Sequence, residues 1–112
     1  MTDPNEPALP AGHKRVPLKR PIKGHDGEVR ALILREPRGD EVFTFGEPQT
    51  WVRAAGGMAL VDNWEAIKAY ADRLIVKPDP TLAQAQLSAL DAIAVKEVIV
   101  GFFHSSPTDT SA

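Results

Sequence analysis

Arg35, Glu36, Asp40 and Glu41 lie within one short stretch, LILREPRGDEVFTFGEP, between Leu32 and Pro48. Carboxylates held beside an arginine are raw material for general acid–base chemistry, provided that a pocket drives their pKa values apart. These acids flank a Pro-Arg-Gly turn, where acidic side chains ordinarily supply local hydrogen bonds and solubility. No feature of the sequence builds a pocket around them. The histidines are scattered: His13 in the N-terminal tail, His25 in a turn, His104 at a helix end. None stands at metal-ligand spacing from another histidine or a suitable acid, and His104 suits the C-terminal end of its helix. Ser105 and Ser106 fall in a small, polar tail without a partnered base. AAGGM lacks the Lys-Ser/Thr of a phosphate loop and does not open a helix. With no cysteine, thiolate metal sites and disulfides are excluded. The residues thus predict no catalytic, cofactor-binding or metal site, and "REP" and "GEP" read as strand terminators with turn and surface acids between them.

A chain of 112 residues places all this in one domain. Residues 1–13 and 105–112, rich in Pro, Ser, Thr and other polar types, predict mobile tails around a single domain over 14–104. The longest apolar stretch is broken by Lys96-Glu97, so no membrane span is predicted and a soluble, cytoplasmic protein is expected. Charge is unevenly spread: His13–Arg38 carries a balance of plus five, and the chain from Gly39 onward minus five. A solvated basic hairpin is the simpler reading. An electrostatic handle for an acidic partner or nucleic acid is the sharper one. No Phe, Tyr or Trp falls between His13 and Arg38 to stack on bases, which counts against single-strand binding.

VPLKRPIK, GHDG and EVRALILRE predict a β-hairpin with Val16, Leu18 and Ile22 on one face. Pro17 and Pro21 make its first strand an edge. VFTF reads as a β segment with Val42 and Thr44 on one face and Phe43 and Phe45 on the other. TWVR-AAGG-MALV reads as a second hairpin. A helix is predicted over DNWEAIKAYADRLIV, capped by Asp62 with Glu65, with a core face of Trp64, Ile67, Ala71 and Leu74 and a Lys68–Asp72 surface pair. After KPDPT, Leu82–Leu87 forms a helical turn and Ser88 caps a last helix. That helix is too apolar for one buried face. Ala94, Val95, Val98, Ile99 and Phe102 form a core stripe, and Ile93, Lys96, Val100 and Phe103 a second one on roughly the opposite side. Either the hairpins wrap both sides, or Ile93, Val100 and Phe103 meet a partner. The fold class is α+β: an N-terminal hairpin, extended by a second β element, on two or three C-terminal helices.

The ordered set formed by the short basic strand, DGEV, LILREP, FGEP, AIKAYADRL and AIAVKEVIVGFF resembles the tail assembly chaperones of Mu-like and P2-like contractile-tailed phages. The likeness covers nearly all of Lys19–Phe103. Its landmarks are Gly27, Leu34, Arg35, Glu36, Pro37, Gly46, Glu47, Pro48, Gly101, Phe102 and Phe103. The strand count between residues 42 and 61 stays open. The resemblance implies a non-enzymatic protein of phage or prophage origin that acts in the host bacterial cytoplasm. Such a protein binds the tape measure protein during tail assembly and is absent from the finished virion. It also implies a longer frameshifted product that recruits tail tube protein. Self-association is open, and nucleic acid is an unfavoured partner. A small structural tail component, such as a connector or terminator, is one alternative; its presence in virions would mark it. A nucleic-acid-binding regulator is the other, marked by a salt-sensitive DNA complex.

Overall fold

The structure, a computed structural model, describes residues 9–104, so most of the first tail and all of the second lie outside the described residues. The elements run β1 (His13–Gly24), β2 (Gly27–Arg35), α1 (Gly39–Phe45), β3 (Gln49–Ala54), β4 (Gly57–Asp62), α2 (Trp64–Leu74), β5 (Ile75–Lys77), α3 (Pro80–Gln86) and α4 (Ala89–Phe102). The fold is α+β: the N-terminal hairpin carries helices packed from the C-terminal half. Its antiparallel sheet has the order β1-β2-β5, while β3 and β4 form a separate two-stranded sheet. The extension of the first hairpin is therefore β5, and the second hairpin stands apart from it.

β1 is the edge that its prolines predict, and it bulges. Pro17 pairs with Ala31 but Ile22 pairs with Val29, so four residues of β1 face the single intervening Arg30. Pro17 and Pro21 bracket this bulge, a position where a residue without a backbone donor is tolerated. The N–H groups of Lys19 and Arg20 point instead at Asp91, donating to its two carboxylate oxygens at 2.8 and 3.0 Å. Asp91 occupies the first turn of α4, where Ser88 accepts a hydrogen bond from its backbone N–H at 3.3 Å. Further along the edge, the Lys23 N–H donates to Gln86 Oε1 at 2.9 Å.

The core is a layer of sheet residues (Val16, Ile22, Leu32, Leu34, Ile75) against Ala66, Ile67, Tyr70, Ala71, Leu74, Ala83, Val95 and Ile99. The inward face of α2 thus centres on Ala66, Ile67, Tyr70, Ala71 and Leu74, and the expected Trp64 lies off it, more than half exposed. The cap of α2 is Asn63, whose side chain accepts from the Ala66 N–H at 3.3 Å, rather than Asp62. Asp62 ends β4 and bonds sideways instead. The Lys68–Asp72 pair forms as expected. α3 extends the expected helical turn back to Pro80, with Asp79 as cap accepting from Thr81 and Leu82.

VFTF is helical, not β. Its β-branched and aromatic residues favour a strand, but two anchors outside the segment override them. The Arg38 N–H donates to Glu41 Oε1 at 2.9 Å, closing a first turn whose acids suit the positive end of a helix. Arg35 then grips the same carboxylate from the end of β2. Gly46, at φ +79°, stops the helix in a conformation that side chains resist. As a result Val42 and Phe45 turn partly inward, while Phe43 is 94% exposed.

Burial alone would raise the pKa of Asp91, but the N–H groups of Lys19 and Arg20 outweigh it, aided by Ser88, and hold the carboxyl below its usual range. Asp91 therefore stabilises the fold fully above the unfolded-state pKa of about 3.9, and that stability is lost as pH falls further. Asp91→Ala, which strands two backbone donors, should cost on the order of 3 kcal/mol in urea unfolding at neutral pH. Asp91→Asn should flatten the stability loss between about pH 4 and 2. A parent-like acid limb in the Asn variant would show that this carboxylate is not what holds the bulge.

Candidate binding surface

The charged cluster of the opening stretch does not assemble as a reactive pair. Arg35 meets Glu41 through two parallel bonds of 3.0 and 2.6 Å, and Glu41 is almost fully buried. Glu41 is therefore no surface acid, which corrects the sequence reading. The hydrogen bond from Arg35 holds its carboxyl below the usual range against the opposing effect of burial, and the same bond raises Arg35. Both groups stay charged, so neither can trade a proton near neutral pH. Asp40, Glu36 and Glu47 are exposed.

Several motif landmarks converge on Tyr70, a residue that the sequence reading passed over. Its hydroxyl donates to the Gly46 carbonyl at 2.7 Å, and the rings of Phe45 and Phe103 meet it edge-on at 5.3 and 5.4 Å. Burial raises the Tyr70 pKa, with Glu41 and Glu47 adding to it. Pro48 is buried beside this cluster's loop and accepts from the Asn63 N–H at 2.8 Å. Gly46, Pro48 and Phe103 of the landmarks thus serve packing. The proposed partner stripe on α4 is corrected on the same grounds. Val100 is 8% exposed, Phe103 packs on Tyr70, and of the three residues Ile93 alone is open, at 44%.

The exposed apolar surface lies elsewhere. In the β3–β4 hairpin, Trp51 pairs with Leu60 and Arg53 with Met58 on one face, while Thr50 pairs with Val61 and Val52 with Ala59 on the other. Trp51 is 64% exposed, Met58 58% and Leu60 41%. The first face also carries the Gln49–Asp62 pair at the hairpin base, where the amide donates to the carboxylate at 2.7 Å. Lys96 of α4 reaches the other oxygen of Asp62 at 3.2 Å and Glu97 at 3.0 Å. Gln49 first, and then Lys96, holds Asp62 below the usual carboxylate range. The Lys96 ammonium also lies 5.7 Å from the centre of the Trp64 ring.

Beyond that junction an open apolar groove of about 200 Å³ runs between α2, α3 and α4, lined by Trp64, Ile67, Ala71, Leu87 and Val95 with Lys68 and Lys96 at its rim. Compared with protein-family models, with curated proteins and with solved structures, the chain matches none. Among the described residues no three His, Asp or Glu side chains gather as a metal site, and no helix is long and apolar enough to cross a membrane. His13, His25 and His104 remain apart, with His104 near Gln49 Oε1 at 3.2 Å. An apolar groove whose rim lysines are already paired with Asp72, Asp62 and Glu97 suits an apolar side chain more than a charged one.

Glu41→Gln should lower stability by roughly 2–4 kcal/mol, because it leaves the Arg35 guanidinium partly buried without its charge partner. Asp40→Asn and Glu47→Gln should stay within about 0.5 kcal/mol of the parent. Equal melting shifts for all three would contradict a structural ion pair. Val100→Ser with Phe103→Ser should lower the melting temperature sharply, as core lesions do. A parent-like melt would return those two residues to the surface.

Proposed function

We propose that this chain is a tail assembly chaperone of the kind its motif order resembles, and that it holds an apolar helical segment of a tape measure protein. The observation that carries the reading is the open groove between α2, α3 and α4, walled by Ile67, Ala71, Leu87 and Val95 and rimmed by the half-exposed Trp64. A groove of this size on a small domain suits one or two apolar anchor side chains from the face of an amphipathic helix, with no chemical step required. The site of action under this reading is the host bacterial cytoplasm, and recruitment of tail tube protein falls to a longer frameshifted product.

Co-expression with the tape measure protein encoded nearby tests the reading. The parent chain should co-purify with it and be missing from finished particles. Trp64→Ser with Leu87→Asp should reduce retention by about tenfold, the loss expected when an apolar anchor is removed from an interface. A folded variant that retains the client fully would remove the groove from the argument. Stoichiometric recovery of the parent in virions would make it a structural tail component instead.

A further inference from the structure

The two sheets of this protein treat their edges differently. The outer edge of β1 is blunted by Pro17, Pro21 and three lysines, and its bulge donors are consumed by Asp91 while Lys23 is taken by Gln86. The β3–β4 ribbon has no such protection. From Thr50 to Val61 it contains no proline and no charge except Arg53. A two-stranded ribbon with both edges in water is marginally stable by itself, and this one packs on the body only around its base. We infer that the β4 edge pairs with the β4 edge of a second copy, antiparallel about a two-fold axis at Ala59, to make a continuous four-stranded sheet.

The register follows from the hairpin. Ala54 and Gly57 flank a two-residue loop, so they and Val52–Ala59 are the mutually hydrogen-bonded pairs. The backbone groups of Met58 and Leu60 then point outward, free to bond another strand. An axis at Ala59 sets Met58 opposite Leu60 of the second copy and pairs Gly57–Val61, leaving Asp62 to its bonds with Gln49 and Lys96. Parity keeps the Trp51-Met58-Leu60 faces of both copies on one side. The β3 edge is the poorer choice, because it brings Arg53 of two copies close together. A second copy is the occupant on three counts: the edge is self-complementary, it carries no charge that selects a different partner, and a like chain is always present where this one folds.

The chain has no cysteine, so single replacements report pairing cleanly. In the paired sheet Ala59 faces Ala59 of the second copy in a non-hydrogen-bonded pair, with Cα atoms about 4.5 Å apart, within disulfide reach. Mild oxidation of full-length Ala59→Cys should give mostly cross-linked dimer, while Val52→Cys, on the opposite edge, should cross-link at least about tenfold more slowly. The unaltered chain should sediment as a dimer at micromolar concentration. Met58→Lys with Leu60→Lys should weaken the dimer at least about tenfold without moving the thermal melt of the body. Three results would overturn the inference: an unaltered chain that stays monomeric, Val52→Cys cross-linking as fast as Ala59→Cys, or a dimer indifferent to the two lysines.

Discussion

Asp91 is the constraint on which the rest of the body depends. A strand that carries prolines at 17 and 21 cannot pair continuously with β2, and its bulge would leave donors facing the helical layer. One carboxylate removes that problem by taking the Lys19 and Arg20 N–H groups together. Because Asp91 is also in the first turn of α4, the same contact sets where the long helix begins relative to the sheet. Val95 and Ile99, one and two turns further on, are then delivered to the core formed by Val16, Leu32 and Leu34. A charge that is 1% exposed would be costly to bury without partners. Here its hydrogen bonds come from the backbone it organises, so burial and register support each other.

A second anchor ties the middle of the chain to this frame. Arg35, at the end of β2, holds Glu41 in the first turn of α1, and Gly46 ends that helix with its carbonyl aimed at Tyr70. Tyr70 then gathers Phe45 from the end of α1 and Phe103 from the end of α4. Arg35 and Glu41 thus act as a joint between β2 and α1, while Glu36, Asp40 and Glu47 stay exposed. The pair resembles an acid–base couple in sequence and serves as a fastener in the fold.

Much of this was legible because it rests on local rules. The hairpin at GHDG, the edge status of β1, the Ser88 cap and the Val95–Ile99 stripe each follow from spacing or turn chemistry, as does the second hairpin, though its loop is Ala55-Gly56 and not the expected Gly56-Gly57. The misreadings share a different cause. VFTF became a helix through contacts from Arg35 and Arg38, which no propensity within four residues reveals. Asp62 was outbid as a cap by Asn63 because its carboxylate serves Gln49 and Lys96 across the fold. The role of Asp91 had a faint signal, the Ser-x-x-Asp spacing, but its partners are about seventy residues away in sequence. The two stripes on α4 were visible. Which of them faced Tyr70 was a tertiary fact, and it sent Val100 and Phe103 inward and left Ile93 outside.

The division between body and arm carries the functional argument furthest. In the body, Val16, Ile22, Leu32 and Leu34 of the sheet are buried under the helices, and donors of the β1 bulge are taken by Asp91. In the arm, the sequence spends two aromatic or sulfur-bearing residues, Trp51 and Met58, on positions that meet solvent, and omits the lysines and prolines found along β1 at Lys14, Pro17, Lys19, Pro21 and Lys23. Random drift tends to scatter exposed apolar residues singly, and such residues need no explanation. Here they cluster on one ribbon, with the most open, Trp51 and Met58, on one face and Val52 and Val61 on the other, and the first face descends through Leu60 to the Asp62–Lys96–Trp64 junction at the mouth of the helical groove. Lys96 links the two surfaces directly, since it binds the last residue of the arm and lies beside the aromatic rim of the groove. The base of the ribbon and the rim of the groove are thus tied by one side chain, which fixes where the arm leaves the helical layer.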